Sequence, residues 1–224
     1  MREDWCAWLP DSKARLNEDC SKELETLYLM LSVSLDEALD LRRKGALAKS
    51  FEAAQIAGGL CERLAQSLKM VLGGLHRHAK HFGLVPNAAP LDPANFQGTR
   101  GQRTARLTGL LNRVLLSQRS RFIHKASTIL EMVENLKQDF CDAVEELVHG
   151  FHFNTEPLWN ALDQCHFDLN TCLRETIVLL KSFLLVLPEE QITCFETELR
   201  FPHTRAVQHS LSFRHRRFAA VPGK

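Results

Sequence analysis

The sequence predicts an all-α protein: an antiparallel up-down bundle of four long helices, with a long loop between helices two and three and a flexible basic carboxyl-terminal tail. Three observations predict it. Apolar residues recur at three- and four-residue steps through four stretches, each much longer than a strand. The composition of 11 Gly, 8 Pro and one Tyr in 224 residues is poor for sheets and their turns. The strongest breakers, Gly45, the prolines at 86, 90 and 93, and Pro188, fall between those stretches or after them.

The first long helix is expected to start at Ser21, which can cap it, with Glu23 and Glu25 suiting the positive end of the helix dipole. Residues 1–17 read as short and mixed, with a turn at Pro10. Leu24, Leu27, Leu31, Leu35, Ala38 and Leu41 form the buried stripe. Arg42, Arg43 and Lys44 bring cations to the carboxyl end, and Gly45 suits the left-handed position that follows.

The second helix is expected from Ala46 to Phe82. Ala54, Ala57, Cys61, Leu64, Leu68, Val71, Leu75, His78 and Phe82 keep a heptad rhythm, the pattern of a bundle seam. The pairs Gly58-Gly59 and Gly73-Gly74 mark a kink, a close approach or an early end. Residues 83–101 cannot be one helix, because Pro86, Pro90 and Pro93 interrupt them.

The third helix is expected from Arg103 to Val148, with Leu107, Leu110, Val114, Phe122, Ile129, Met132, Leu136, Phe140, Ala143 and Leu147 on its buried face. Pro157 sits near the first position of the fourth. Leu158, Leu162, Cys165, Leu169, Cys172, Thr176, Leu179, Phe183 and Val186 carry that seam to Pro188, and 189–199 can add a short helix. Residues 1–199 thus read as one bundle domain, and 200–224 as a basic, mobile arm.

Net charge is +1, so bulk charge singles out neither nucleic acid nor membrane. Charge distribution says more. Between Pro93 and Leu130 there is no Asp or Glu, but there are six Arg and Lys125. Up-down topology brings this segment, the run from His76 to His81 and the basic arm to one end of the bundle. Arg77, Lys80, Arg100, Arg103, Arg106 and Arg113 are therefore candidates to bind an anion, whether nucleic acid or a phosphorylated ligand. Acids on the first helix (Glu18, Asp19, Glu23, Glu25) are expected to neutralise part of that end. At the other end, Asp139, Asp142, Glu145 and Glu146 are expected to pair with Arg42, Arg43, Lys44 and Lys49.

No pattern carries catalysis. Glu145 and His149 form one Glu-x-x-His step, where a di-iron bundle uses two. His78 and His81 share a helical face and are weak metal candidates, lacking a Cys or carboxylate at matching spacing. Arg119 to His124 is similar to the short Arg-x4-His motif of helical HEPN-type ribonucleases, over six residues only. Seven Cys without a CxxC pair read as reduced thiols in the cytoplasm. The most apolar run, Ile177 to Leu187, contains Lys181 and is too short to span a bilayer.

The function expected is therefore non-enzymatic: a helical bundle acting through protein–protein interaction as scaffold, adaptor or regulator, with a protein partner or a second copy. Trp5, Trp8 and Leu9 are candidates to dock that partner. Anion or nucleic-acid binding at the basic end is the first alternative, and a metal-binding or hydrolytic bundle the second. No cofactor is implied.

Overall fold

The computed structural model describes residues 11–80, 100–150, 154–187 and 189–199, backbone alone for 100–108, 111, 112, 115, 190 and 198. Among these residues there are helices and no strand. The order is α1 Asp11–Arg43, α2 Leu47–Lys80, α3 Arg100–His149, α4 Glu156–Val186, a 3-10 turn Glu189–Gln191, and α5 Ile192–Glu198. The long helices pack as an up-down bundle, α2 between α1 and α3, and α4 between α3 and α1. Lys13 meets Leu187 at one end and Arg42 meets Glu156 at the other, which sets α1 antiparallel to α4. The end holding Lys13, Lys80 and Leu187 is called the upper end.

The turns form as their residues dictate. Gly45 takes φ +77°. Its N–H donates to the Arg42 carbonyl at 2.9 Å, and Ala46 N–H reaches back to Leu41 at 2.9 Å. These two bonds are a Schellman motif, closing α1 and reversing the chain in three residues. At the start of α4, the Asn154 side-chain oxygen accepts from Glu156 N–H at 3.0 Å, and a Pro occupies the first turn. Leu187 is extended ahead of Pro188, as a residue before proline must be, and α4 stops there.

α1 starts ten residues before the expected Ser21, and its added turns bury Lys13, Leu16, Asn17 and Cys20. The Lys13 ammonium donates to the Leu187 carbonyl at 2.5 Å, placing a cation on the negative end of α4. Two polar residues at buried positions, Lys13 and Asn17, break the apolar rhythm and hide these turns from a hydrophobicity pattern.

Among the described residues the seams of α1, α2 and α4 lie where the heptads put them, Phe82 falling outside that set. Leu24, Leu31, Leu64, Leu68, Leu75, Leu162 and Leu169 are fully buried, each stabilising by roughly 1.5–3 kcal/mol. The lower half of α3 does the same through Phe122, Ile129, Phe140, Ala143 and Leu147. Its expected face fails at Leu110, Val114 and Met132, which are exposed. The cause of the first two is length. Gly58 faces Val144 and Lys69 bridges Glu134, so Lys80 at the end of α2 lies level with Phe122. Phe122 also meets Phe183, three residues before the end of α4. The first twenty or so residues of α3 therefore run about 30 Å beyond both neighbours.

Neither glycine pair breaks α2. In each, one member receives a neighbour: a Cβ on Gly58 would stand 3.5 Å from Val144, and one on Gly74 3.1 Å from Phe195. Gly74 thus lets α5 fold back across the upper part of the bundle. There Phe195 is fully buried, edge-on to His78 at 5.1 Å and tilted on Phe183 at 5.4 Å. Among the described residues, no helix is long and apolar enough to cross a membrane.

Candidate functional site

Among the described residues, an apolar opening lies between α1 and α2, apart from the described residues expected to bind an anion or a metal. The core stripe of α1 recurs at Leu24, Leu27, Leu31 and Leu35, but Leu29 and Val33 form a second stripe beside it. They are 63% and 58% exposed, and Ile56 of α2, 43% exposed, faces them across the groove. Met30, Leu60 and Gly59 complete a floor in an opening of about 680 Å³, with Thr26, Glu37, Gln55 and Arg63 on the rim. Lining of this kind, aliphatic inside and polar at the edge, suits an amphipathic partner more than a small polar substrate.

Gly59 also lines the shallower depression between α2 and α3. It therefore sits on the outer ridge of α2, flanked by grooves. A Cβ there would meet nothing within 4 Å. The chain itself has no steric reason for glycine at this point, although glycine inside a helix costs about 1 kcal/mol against alanine.

The basic end is only partly assembled. Arg77 and Lys80 are exposed at the end of α2, and burial together with those two cations lowers the pKa of His76. Arg121 and Lys125 lie at the same level on α3. With Arg174 of α4 they line an α3–α4 groove of about 470 Å³ that also contains Glu175. Arg113 is exposed further out along α3. Arg100, Arg103 and Arg106 belong to the same helix, their side chains outside the described set. From Arg113 outward the candidates are strung along a projecting rod, one after another, instead of gathered around one site. Glu18, Asp19 and Glu23 lie two to three turns below the start of α1, because that helix begins at Asp11.

Trp5, Trp8, Leu9, His81 and the arm 200–224 lie outside the described residues. His78, the other weak metal candidate, is buried against Phe195. Among the described residues, no group of three or more His, Cys, Asp or Glu could hold a metal. Arg119 and His124 stand five residues apart on one helix, roughly 140° around its axis, so α3 does not bring them together. At the lower end the ion pairs differ from those expected. Arg42 pairs with Glu156 while lying over the Trp159 ring at 5.5 Å, and Lys44 pairs with Asp40 at 2.5 Å.

Four of the described thiols, Cys20, Cys61, Cys165 and Cys172, are placed for packing. Cys20 is pushed up to about 12, first by burial and then by Asp19, Glu196 and Glu23. Burial raises Cys61 as well, and raises Cys165 and Cys172 to about 11. A nucleophilic cysteine needs the opposite shift.

No protein-family model, curated protein or solved structure matches this chain. The signal for the α1–α2 groove was present in the sequence: Leu29 and Val33 widen the apolar arc of α1 beyond the stripe one bundle needs.

Proposed function

We propose that this protein is a non-enzymatic, cytoplasmic interaction module whose bundle presents the α1–α2 groove to a protein partner, in a scaffold, adaptor or regulatory role. The observation that carries the reading is the exposed row Leu29, Val33 and Ile56 over a groove of about 680 Å³. Contiguous aliphatic surface rimmed by polar residues is costly to leave in water and is a common mark of a binding face. Six free cysteines among the described residues suit a reducing compartment.

The test compares the proteins crosslinked to the full chain in native, nuclease-treated lysate with those crosslinked to Val33→Glu. Val33 is exposed, so the variant should keep its fold, which circular dichroism checks. The reading expects partners of the wild type to be lost from the variant. An identical partner set would overturn it.

One observation favours a second reading, anion binding: the acid-free stretch of α3, with Arg113, Arg121 and Lys125 exposed. That reading expects nucleic acid to co-purify, to leave in moderate salt, and to be lost in Arg103→Glu/Arg106→Glu. Retention by the double variant would remove it.

A further inference from the structure

We infer that the α1–α2 groove is closed by the same groove of a second copy, the two related by a two-fold axis across the helices. This rests on the reading of the groove as an interaction face and names what fills it.

The charges on its rim supply the first argument. α1 runs down the groove from Thr26 to Glu37, and α2 runs up it from Gln55 to Arg63. Arg63 therefore stands at the upper end and Glu37 at the lower, some 16 Å apart along the axis. Neither takes part in an ion pair among the described residues. A two-fold axis through the middle of the groove reverses it end for end. Arg63 of each copy then comes level with Glu37 of the other, diagonally across the shared cleft and within reach of long side chains, so one symmetric contact answers both charges twice. A partner of single charge sign could answer only one end.

Gly59 supplies the second. It lies mid-groove, where the axis would pass, on the ridge of α2 and with open space above it. A missing side chain at that point lets two helices approach closely where their ridges would otherwise collide. Leu29 and Val33 of one copy then pack on Leu29 and Val33 of the other, beside the two facing copies of Ile56 and Leu60.

Trp8 of the same chain lies too near the start of α1 for the role. Thr26 lies about 22 Å along α1 from Asp11, whereas Trp8 is tethered to Asp11 by three residues, about 10 Å of extended chain. A contact confined to this groove falls at the small end of protein interfaces, so the dimer should be weak, with dissociation on the order of 10 μM.

Sedimentation equilibrium of the full-length protein between about 1 μM and 1 mM tests this. The wild type should shift from monomer to dimer across that range. Leu29→Glu should weaken dimerisation at least about tenfold, and so should Glu37→Arg or Arg63→Glu alone, each setting like charges face to face twice. Glu37→Arg/Arg63→Glu together should return to within about threefold of the wild type, since the exchange restores both pairs. Gly59→Ala should raise the stability of the dilute monomer yet weaken the dimer. A wild type that stays monomeric throughout overturns the inference, as does a double variant no better than the single ones. The interaction reading is judged separately by the partners lost in Val33→Glu, so each can fail without the other.

Discussion

Adjacent glycines in α2, Gly73 and Gly74, differ in what stands beside them, and changing each to alanine isolates that difference. Either substitution removes backbone freedom from the unfolded chain and favours the helix by about 1 kcal/mol. At Gly73 the new Cβ meets only the Arg77 guanidinium, at 3.4 Å, the far end of a side chain that can swing aside. At Gly74 it stands 3.1 Å from a ring carbon of Phe195 and 3.4 Å from Leu199, inside the ~3.5–4.0 Å of ordinary carbon contact. That ring has little room, being fully buried between His78 and Phe183. Overpacking of this kind costs about 1–3 kcal/mol. Gly73→Ala should therefore stabilise by up to about 1 kcal/mol, while Gly74→Ala should range from neutral to about 2 kcal/mol destabilised. The difference between them is the contact itself. Urea unfolding followed by circular dichroism measures it, provided the slopes of the two curves agree. Equal stabilisation by both would mean that α5 does not rest on Gly74.

Three further outcomes are expected. Lys13→Met should destabilise by about 1.5–3 kcal/mol in the same urea assay, because the buried Leu187 carbonyl loses a charged donor; an unchanged midpoint would show that α1 is not anchored there. His166 lies stacked on Tyr28 at 4.8 Å, and burial lowers its pKa against the opposing pull of Asp163 and Asp36. Its neutral form is favoured in the fold, so the unfolded chain takes up the proton first and stability drops as pH falls through the ordinary imidazole value of about 6.5. His76 adds a loss of the same sign, so His166→Gln should flatten, without abolishing, the fall in Tm between about pH 7.5 and pH 5. A profile unmoved by the substitution would remove His166 from the account. Among the described thiols, exposed Cys194 should react first with iodoacetamide, and buried Cys20, Cys61, Cys165 and Cys172 only on unfolding. Mass spectrometry showing Cys61 labelled as fast as Cys194 would mean that the bundle opens in its native state.

The seam of α2 was legible because every position from Ala54 to Leu75 that the heptad names is apolar or small, and all of them are buried, as is His78 one step on. The start of α1 was not, since Lys13 and Asn17 occupy buried positions that a hydrophobicity pattern assigns to solvent. Leu110 and Val114 misled in the opposite sense. Their spacing continues the α3 stripe, but whether an aliphatic residue is covered depends on how far the neighbouring helices extend, which is a fact about other segments. The same holds for the groove. Leu29 and Val33 could be read as helix-forming, yet only the packed bundle shows that α4 and α2 cover the first stripe of α1 and leave this one open. The charge pairs at the lower end depend on helix rotation as well as order, and order alone was available.

The Schellman turn at Gly45 and the brief passage from His149 to Glu156 give the molecule a polarity. Asp11, Lys80 and the end of α5 all lie towards the upper end, and α3 enters from beyond it. Every stretch of chain outside the bundle apart from 151–153 thus joins it on that side. A fluorophore, affinity handle or surface linker attached at Asp11 or Lys80 will hold the protein by that side and point its two tight reversals outward. Glu37 and Gln55, the lower rim of the groove, then face away from the support. Immobilisation through Asp11 and through Lys80 should be interchangeable for any binding measured at that face.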